Sequence, residues 1–96
     1  MKPSQALQAH RVELRKLTSR HGVSCPRVFG SVLYGEDRDG SDLDLLVDPT
    51  PSTTLLTLAA IQLEAERLLG VPVDVHTPNA LPRRGRERIL REAVAV

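Results

Sequence analysis

Three aspartates lie where two short strands are expected, and their spacing suits metal chemistry. Side chains alternate along a strand, so Asp42 and Asp44 share one face while Leu43 lies on the other. The two carboxylates are offset by about 7 Å along the backbone, which lets both reach one metal ion or two adjacent ions. In Val73-Asp74-Val75 the valines face a core, which leaves Asp74 on the opposite face. If the two strands are neighbours in one sheet, the three carboxylates converge, and such oxygen-rich clusters select hard divalent cations such as Mg²⁺.

A Gly-Ser pair upstream of these aspartates could bind phosphate. Gly30 and Ser31 follow a short β-prone run, and a glycine followed by a small hydroxyl residue offers backbone N–H groups and a hydroxyl to a phosphate. Further glycines then let the chain turn back toward Asp42. A Gly-Ser pair alone is weak evidence. Together with Gly35 and Ser41-Asp42-Leu43-Asp44 at fixed distances behind it, the pair predicts phosphate chemistry.

Other ligand patterns in the chain are weaker. His76 lies on the same face as Asp74, so it either lines the cleft or is partly buried at a strand end. A calcium-binding loop beginning at Asp37 would need glycine at its sixth position, where the chain has an aspartate. His10 and His21 are eleven residues apart with no third ligand in register, so we interpret both as packing residues.

The segments that must position these residues alternate between helical and strand patterns. Leucines recur at helical spacing from Ser4 until Gly22, which predicts an amphipathic first helix. Short apolar runs bounded by glycine and proline predict strands. The predicted strands are 27–29, 43–47 and 71–77, and the later helices are 55–69 and 86–94. The order α-β-(turn)-β-α-β-α predicts an α/β fold in which helices flank a small mixed sheet of three or more strands.

Length and composition limit the possible functions. The 96 residues suit a single domain spanning 1–96, and no apolar run approaches the ~20 residues that cross a bilayer. The chain starts without the apolar core of a secretory signal and has one cysteine, Cys25, so we expect a cytoplasmic protein. The formal charge of +1 and the aromatic content of 2% argue against direct nucleic-acid binding.

The motif residues also resemble a known signature. The stretch Gly30-Ser31-Val32-Leu33-Tyr34-Gly35, then five residues, then Ser41-Asp42-Leu43-Asp44 resembles the signature of the polymerase-β-type nucleotidyltransferases. It is most similar to their minimal nucleotidyltransferase domains, which serve as antitoxins beside HEPN-domain toxins. The strict motif covers residues 30–47, and a looser likeness extends through residues 73–75 to the end of the chain. Tyr34 departs from the pattern, which often has arginine at this position.

The resemblance implies a nucleotidyltransferase fold, a site and a reaction. The implied metal-binding and catalytic residues are Asp42, Asp44 and Asp74, and the implied nucleotide-binding residues are Gly30, Ser31 and Ser41. The implied cofactor is Mg²⁺, with two ions, and the implied substrate is ATP. The implied partner is a HEPN-type toxin, to which AMP is transferred on a hydroxyl, that of a tyrosine in such systems.

Two functional classes stay open at this point. The chain is either an active metal-dependent nucleotidyltransferase or a binding module that neutralises its toxin by occlusion. The intact carboxylates and the Gly-Ser turn favour the enzyme, while the number of nucleotide units transferred and the oligomeric state are left open.

Overall fold

The computed structural model describes residues 1–96 and contains four helices and four strands. In chain order they are α1 (Pro3–Ala9), α2 (Arg11–Arg20), β1 (Ser24–Phe29), β2 (Leu43–Asp48), α3 (Leu55–Leu69), β3 (Val73–His76), α4 (Arg86–Glu92) and β4 (Val94–Ala95). Short 3₁₀ turns occupy Gly30–Val32 and Pro78–Ala80. The result is the predicted mixed α/β architecture.

The four strands form one mixed sheet in the order β3-β2-β1-β4. Strand β2 runs antiparallel to β1 and parallel to β3, and β4 is antiparallel to β1 on its other side. Strand β2 is central and fully buried on its apolar positions, with Leu43, Leu45 and Val47 on one face and Leu46 on the other. The parallel pairing of β2 with β3 brings the two aspartate-bearing strands side by side.

The two faces of the sheet carry separate apolar clusters. The larger cluster lies under α1, α2 and α3, where leucines of β2 pack against side chains such as Leu14 and Ile61. The smaller cluster joins Phe29, Leu46 and Leu81, with Ile89 of α4 packed against it. The sheet is therefore held between three helices on one face and the C-terminal segment with α4 on the other.

Helix α3 matches its predicted bounds because both ends carry clear signals. The Thr54 hydroxyl accepts the Thr57 backbone N–H at 3.3 Å, and Gly70 ends the helix in the left-handed region at φ +71°. Helix α3 is rich in apolar residues, and some of them are not buried: Leu55 and Leu56 are 84% and 82% exposed. No helix of the structure has both the length and the apolar character needed to span a membrane.

Two predicted helices differ from the structure. The first breaks at His10, whose φ of −131° leaves the helical region, and it begins after Lys2 rather than at a Ser4 cap. The last helix ends at Glu92, and Val94 and Ala95 pair with β1 instead. This pairing satisfies the outer edge of β1, and the Val96 N–H also donates to the Pro26 carbonyl at 3.0 Å.

Candidate active site

Two of the predicted carboxylates lie directly beside each other across the sheet. Asp44 of β2 and Asp74 of β3 are register partners in the parallel pair, so their side chains leave the same face next to one another. Asp42 stands just before β2, two residues upstream of Asp44, and its charge acts on Asp74. The sheet therefore brings Asp44 and Asp74 together as the alternation pattern predicted, whereas Asp42 is near enough to act on Asp74 but does not belong to the group of close ligand atoms.

His76 completes a group that could hold a metal ion. Asp44, Asp74 and His76 each offer one ligand atom, and these atoms lie within 4.8 Å of one another. His76 Nε2 is buried, has no hydrogen-bond partner, and lies 3.5 Å from Asp44 Oδ1. The ring packs edge-on against Phe29 with centroids 5.2 Å apart. Two carboxylates and an unpartnered imidazole nitrogen are donors that suit a divalent cation.

The electrostatics of the carboxylate cluster also favour a bound cation. Burial raises the pKa of Asp74 above its usual range, and the negative charges of Asp42 and Asp44 raise it further, while His76 opposes them. The contributions of Asp42 and Asp44 to this shift reflect negative charge crowded at this point of the sheet. A bound cation would relieve this repulsion.

The Gly30 turn is built against the same carboxylates. Phe29, the last residue of β1, is the register partner of Asp44, so the turn that follows β1 begins beside that side chain. Gly30 has a φ of +76°, and a Cβ added there would overlap Asp44 Oδ2. Glycine is thus required by both the backbone conformation and the space. The half-buried Ser31 follows at once in the 3₁₀ turn, so the phosphate-binding candidates adjoin the metal candidates.

The loop between the turn and β2 is fixed by its own hydrogen bonds. Ser41 Oγ accepts the Arg38 backbone N–H at 2.9 Å, which closes the turn immediately before Asp42. Asp37 is only 5% exposed and accepts the Ser4 backbone N–H at 2.8 Å, which ties the loop to α1. Burial on its own would raise the pKa of Asp37, but hydrogen bonds from Ser4 and from its own backbone, with the charge of Lys2, together lower that pKa. Sequence reasoning missed this anchor, because nothing in the sequence pairs residue 37 with residue 4.

A cavity of about 360 Å³ opens beside Gly30, between the turn and α4. Its apolar wall comes from Phe29, Leu33 and Ile89, and its polar rim from Tyr34, Arg88 and Glu92. The Tyr34 hydroxyl donates to Glu92 Oε1 at 2.7 Å, and Arg88 Nε donates to Glu92 Oε2 at 2.6 Å. No local pattern predicts this contact, since the two segments are more than fifty residues apart.

Other charged candidates lie elsewhere. Asp48 is at the far end of β2 and forms an ion pair with Arg27. His21 contacts Glu64 at 3.0 Å, and this pair joins α2 to α3. Neither residue belongs to the carboxylate cluster.

Comparison with known proteins gives clear relatives. The profile of the family described as nucleotidyltransferase domain matches residues 10–96. The chain is 39% identical over 90 residues to the protein adenylyltransferase MntA of Thermococcus cleftensis, covering 94% of this chain and 88% of the relative. A Methanocaldococcus jannaschii protein named for the same activity is 40% identical over 77 residues, covering 80% of this chain and 83% of that relative.

Solved structures agree with these relatives. A minimal nucleotidyltransferase superposes with a TM-score of 0.86 at 46% identity, over 97% of this chain and 95% of its own. A chain of a toxin–antitoxin crystal structure containing AMP-PNP superposes with a TM-score of 0.71 at 16% identity, over 83% of this chain and 66% of its own. At that identity the second likeness concerns the fold alone.

Proposed function

The chain belongs to the nucleotidyltransferase domain family, and on that premise we propose that it transfers AMP from ATP to a hydroxyl of a HEPN-type toxin. The observation that carries this proposal is the side-by-side placement of Asp44 and Asp74, with the Gly30 turn against Asp44. A phosphate bound at the turn would lie next to the carboxylates, which is the arrangement that phosphoryl and nucleotidyl transfer need.

The same residues support a metal requirement. Asp42, Asp44 and Asp74 would hold the cation, and we propose two Mg²⁺ ions because clustered carboxylate oxygens are the ligands that Mg²⁺ prefers. When bound, such ions supply positive charge that neutralises the triphosphate. The unpartnered Nε2 of His76 gives the cluster one further donor.

Each residue then has a role in the proposed reaction. The N–H groups of the turn at Gly30 and the Ser31 hydroxyl bind the triphosphate. Ser41 is the further proposed nucleotide-binding residue, and its hydroxyl also accepts the Arg38 backbone N–H and so positions the chain before Asp42. The acceptor hydroxyl attacks the α-phosphorus in line, so an oxygen–phosphorus bond forms while the bond to the bridging oxygen breaks and pyrophosphate leaves. Asp74, the carboxylate contributed by the neighbouring strand β3, takes the hydroxyl proton directly or through a water.

The proposed partner rests on the relatives. One relative carries the name protein adenylyltransferase, and one structure of the same fold comes from a toxin–antitoxin pair. These names support a toxin as the acceptor, and the motif resemblance supports a HEPN-type toxin modified on tyrosine.

The test is direct modification of the partner. The chain is incubated with Mg²⁺, labelled ATP and a HEPN-type toxin encoded beside it, and the toxin is analysed by mass spectrometry. We expect an AMP adduct on a tyrosine that disappears with a metal chelator and with the Asp42→Asn, Asp44→Asn double variant. Asp39→Asn serves as the matched control, because Asp39 is an exposed carboxylate of the same loop that pairs only with the terminal ammonium group. A toxin that is neutralised without any adduct would contradict transfer and support occlusion.

A further inference from the structure

A single positively charged side chain lines the cavity beside Gly30. Of its eight lining residues, Arg88 is the only basic one, while Phe29, Leu33 and Ile89 are apolar. Arg88 lies on α4, on the opposite wall from the turn, and its side chain is 66% exposed. An anion entering this cavity from Gly30 would therefore meet the Arg88 guanidinium.

Arg88 is held over the cavity by two neighbours. Its Nε donates to Glu92 one helical turn further on, and its guanidinium lies 5.8 Å from the centroid of the Tyr34 ring. Tyr34 is itself fixed through its hydroxyl, which donates to the other oxygen of Glu92. The three side chains form a cluster, here called the Arg88 clamp, which positions a long flexible side chain before any ligand is present.

We propose that Arg88 binds the β- and γ-phosphates of the nucleotide and makes the site selective for a triphosphate. This inference rests on the proposed nucleotidyl transfer, in which the attacked α-phosphate lies at the carboxylates. Gly30 adjoins Asp44, so the rest of the triphosphate continues from Gly30 into the mouth of the cavity. Guanidinium groups bind phosphate oxygens with paired, charge-assisted hydrogen bonds.

Glu92 also affects nucleotide binding in the proposed site. Its carboxylate lines the same cavity and holds Arg88 while the site is empty. A bound triphosphate competes with Glu92 for the guanidinium, and the carboxylate also repels the phosphates. Glu92 therefore opposes nucleotide binding, and its neutralisation has the opposite effect to loss of Arg88.

The experiment compares binding of Mg²⁺-ATP, Mg²⁺-pyrophosphate and AMP by titration calorimetry on the full chain. We expect Arg88→Ala to weaken ATP and pyrophosphate binding by about ten-fold and to leave AMP binding within about two-fold. Arg91→Ala is the matched control, because Arg91 is an exposed arginine of the same helix that does not line the cavity. Glu92→Gln should strengthen ATP binding several-fold. The double variant Tyr34→Arg, Arg88→Ala should bind ATP better than Arg88→Ala alone, because it returns a guanidinium to the same cavity.

Tyrosine fluorescence provides an independent readout. Tyr34 is the only tyrosine and the chain has no tryptophan, so its emission reports the Arg88 clamp alone. Pyrophosphate should change this emission in the unmodified chain and in Arg91→Ala but not in Arg88→Ala. Equal ATP affinity of Arg88→Ala and the unmodified chain would overturn this inference while leaving the proposed transfer intact, and an equal loss for AMP would also overturn it. Absence of ATP binding by the unmodified chain would overturn both.

Discussion

Substitution of Gly30 by alanine tests whether the turn and the carboxylates form one site. Gly30 has a φ of +76°, and the added Cβ would overlap Asp44 Oδ2 and lie 3.3 Å from Asp44 Cγ. Gly35 provides a control of the same chemistry, because its φ is +68° and an added Cβ meets nothing within 4 Å. The two substitutions impose the same backbone strain, but only the first displaces a proposed metal ligand.

The expected magnitudes follow from this difference. A left-handed conformation costs a non-glycine residue about 1–2 kcal/mol, so Gly35→Ala should lower the free energy of unfolding by that amount. Gly30→Ala carries the same strain plus the overlap, and forcing extra atoms into a packed position typically costs about 1–3 kcal/mol more. A displacement of about 1 Å at a reacting group lowers rates roughly 10²-fold, so transfer should fall by that factor in Gly30→Ala only.

Urea unfolding and AMP transfer would be measured on both variants. We expect Gly35→Ala to be destabilised yet to transfer AMP at nearly the normal rate, while Gly30→Ala loses both stability and transfer. Addition of Mg²⁺ should raise the unfolding midpoint of the unmodified chain more than that of Gly30→Ala. If the two variants were equal in stability, transfer and response to Mg²⁺, the reasoning that couples Gly30 to Asp44 would be refuted.

Three further substitutions test single residues. Asp74→Asn keeps the size of the side chain but removes its charge, so AMP transfer should fall roughly 10²-fold or more while toxin binding is retained. Full protection of cells by this variant, without an adduct on the toxin, would refute the role of Asp74. Ser31→Ala should raise KM for ATP with a nearly unchanged kcat, because a turn hydroxyl holds substrate and transition state alike, and an unchanged KM would remove Ser31 from the site. The third substitution concerns Asp37, whose pKa is lowered in the folded chain. Because the unfolded chain therefore binds more protons in acid, the Asp37 carboxylate stabilises the fold above its ordinary pKa of 3.8. This contribution to stability is lost as the pH falls through the folded pKa. Asp37→Asn should therefore flatten the loss of stability in acid, measured by urea unfolding as a function of pH, and an unchanged acid profile would contradict the role of the bond from Ser4.

The central elements could be predicted from the sequence because their signals are local. Side chains of β2 alternate between the two faces of the sheet, so the sequence predicts Asp44 on the face opposite Leu43 and Leu45, and α3 has a threonine before its first residue and a glycine after its last. Convergence of Asp44 and Asp74 on one face follows from side-chain alternation once β2 and β3 are neighbours, whereas their exact register is a property of the folded sheet.

The remaining features depend on contacts between distant residues. The segment around Val94 has a helical pattern, but the free edge of β1 favours a strand there, and no local signal records that edge. The face of His76 could be predicted from alternation, whereas the absence of any partner for its Nε2 depends on the packing of Phe29 and Asp44 around it. The Arg88 clamp joins Tyr34 to a residue 58 positions later, and a single sequence does not reveal such pairs.

The pairing of β1 with β2 determines which changes of chain length would disturb the distance between the Gly30 turn and Asp44. The turn at Gly30 and the carboxylate of Asp44 are held together by the ladder that pairs Phe29 with Asp44, and not by the loop that connects them along the chain. Residues 38–40 of that loop are exposed, so an insertion there should leave the distance between turn and carboxylate unaltered. A deletion of one residue inside Leu43–Asp48 would instead turn the aspartates into the core and the leucines outward. The distance between the Gly30 turn and Asp44 thus depends on the length of β2 and not on the loop at 38–40, whereas the position of Asp42 depends on the Arg38–Ser41 hydrogen bond that such an insertion would break.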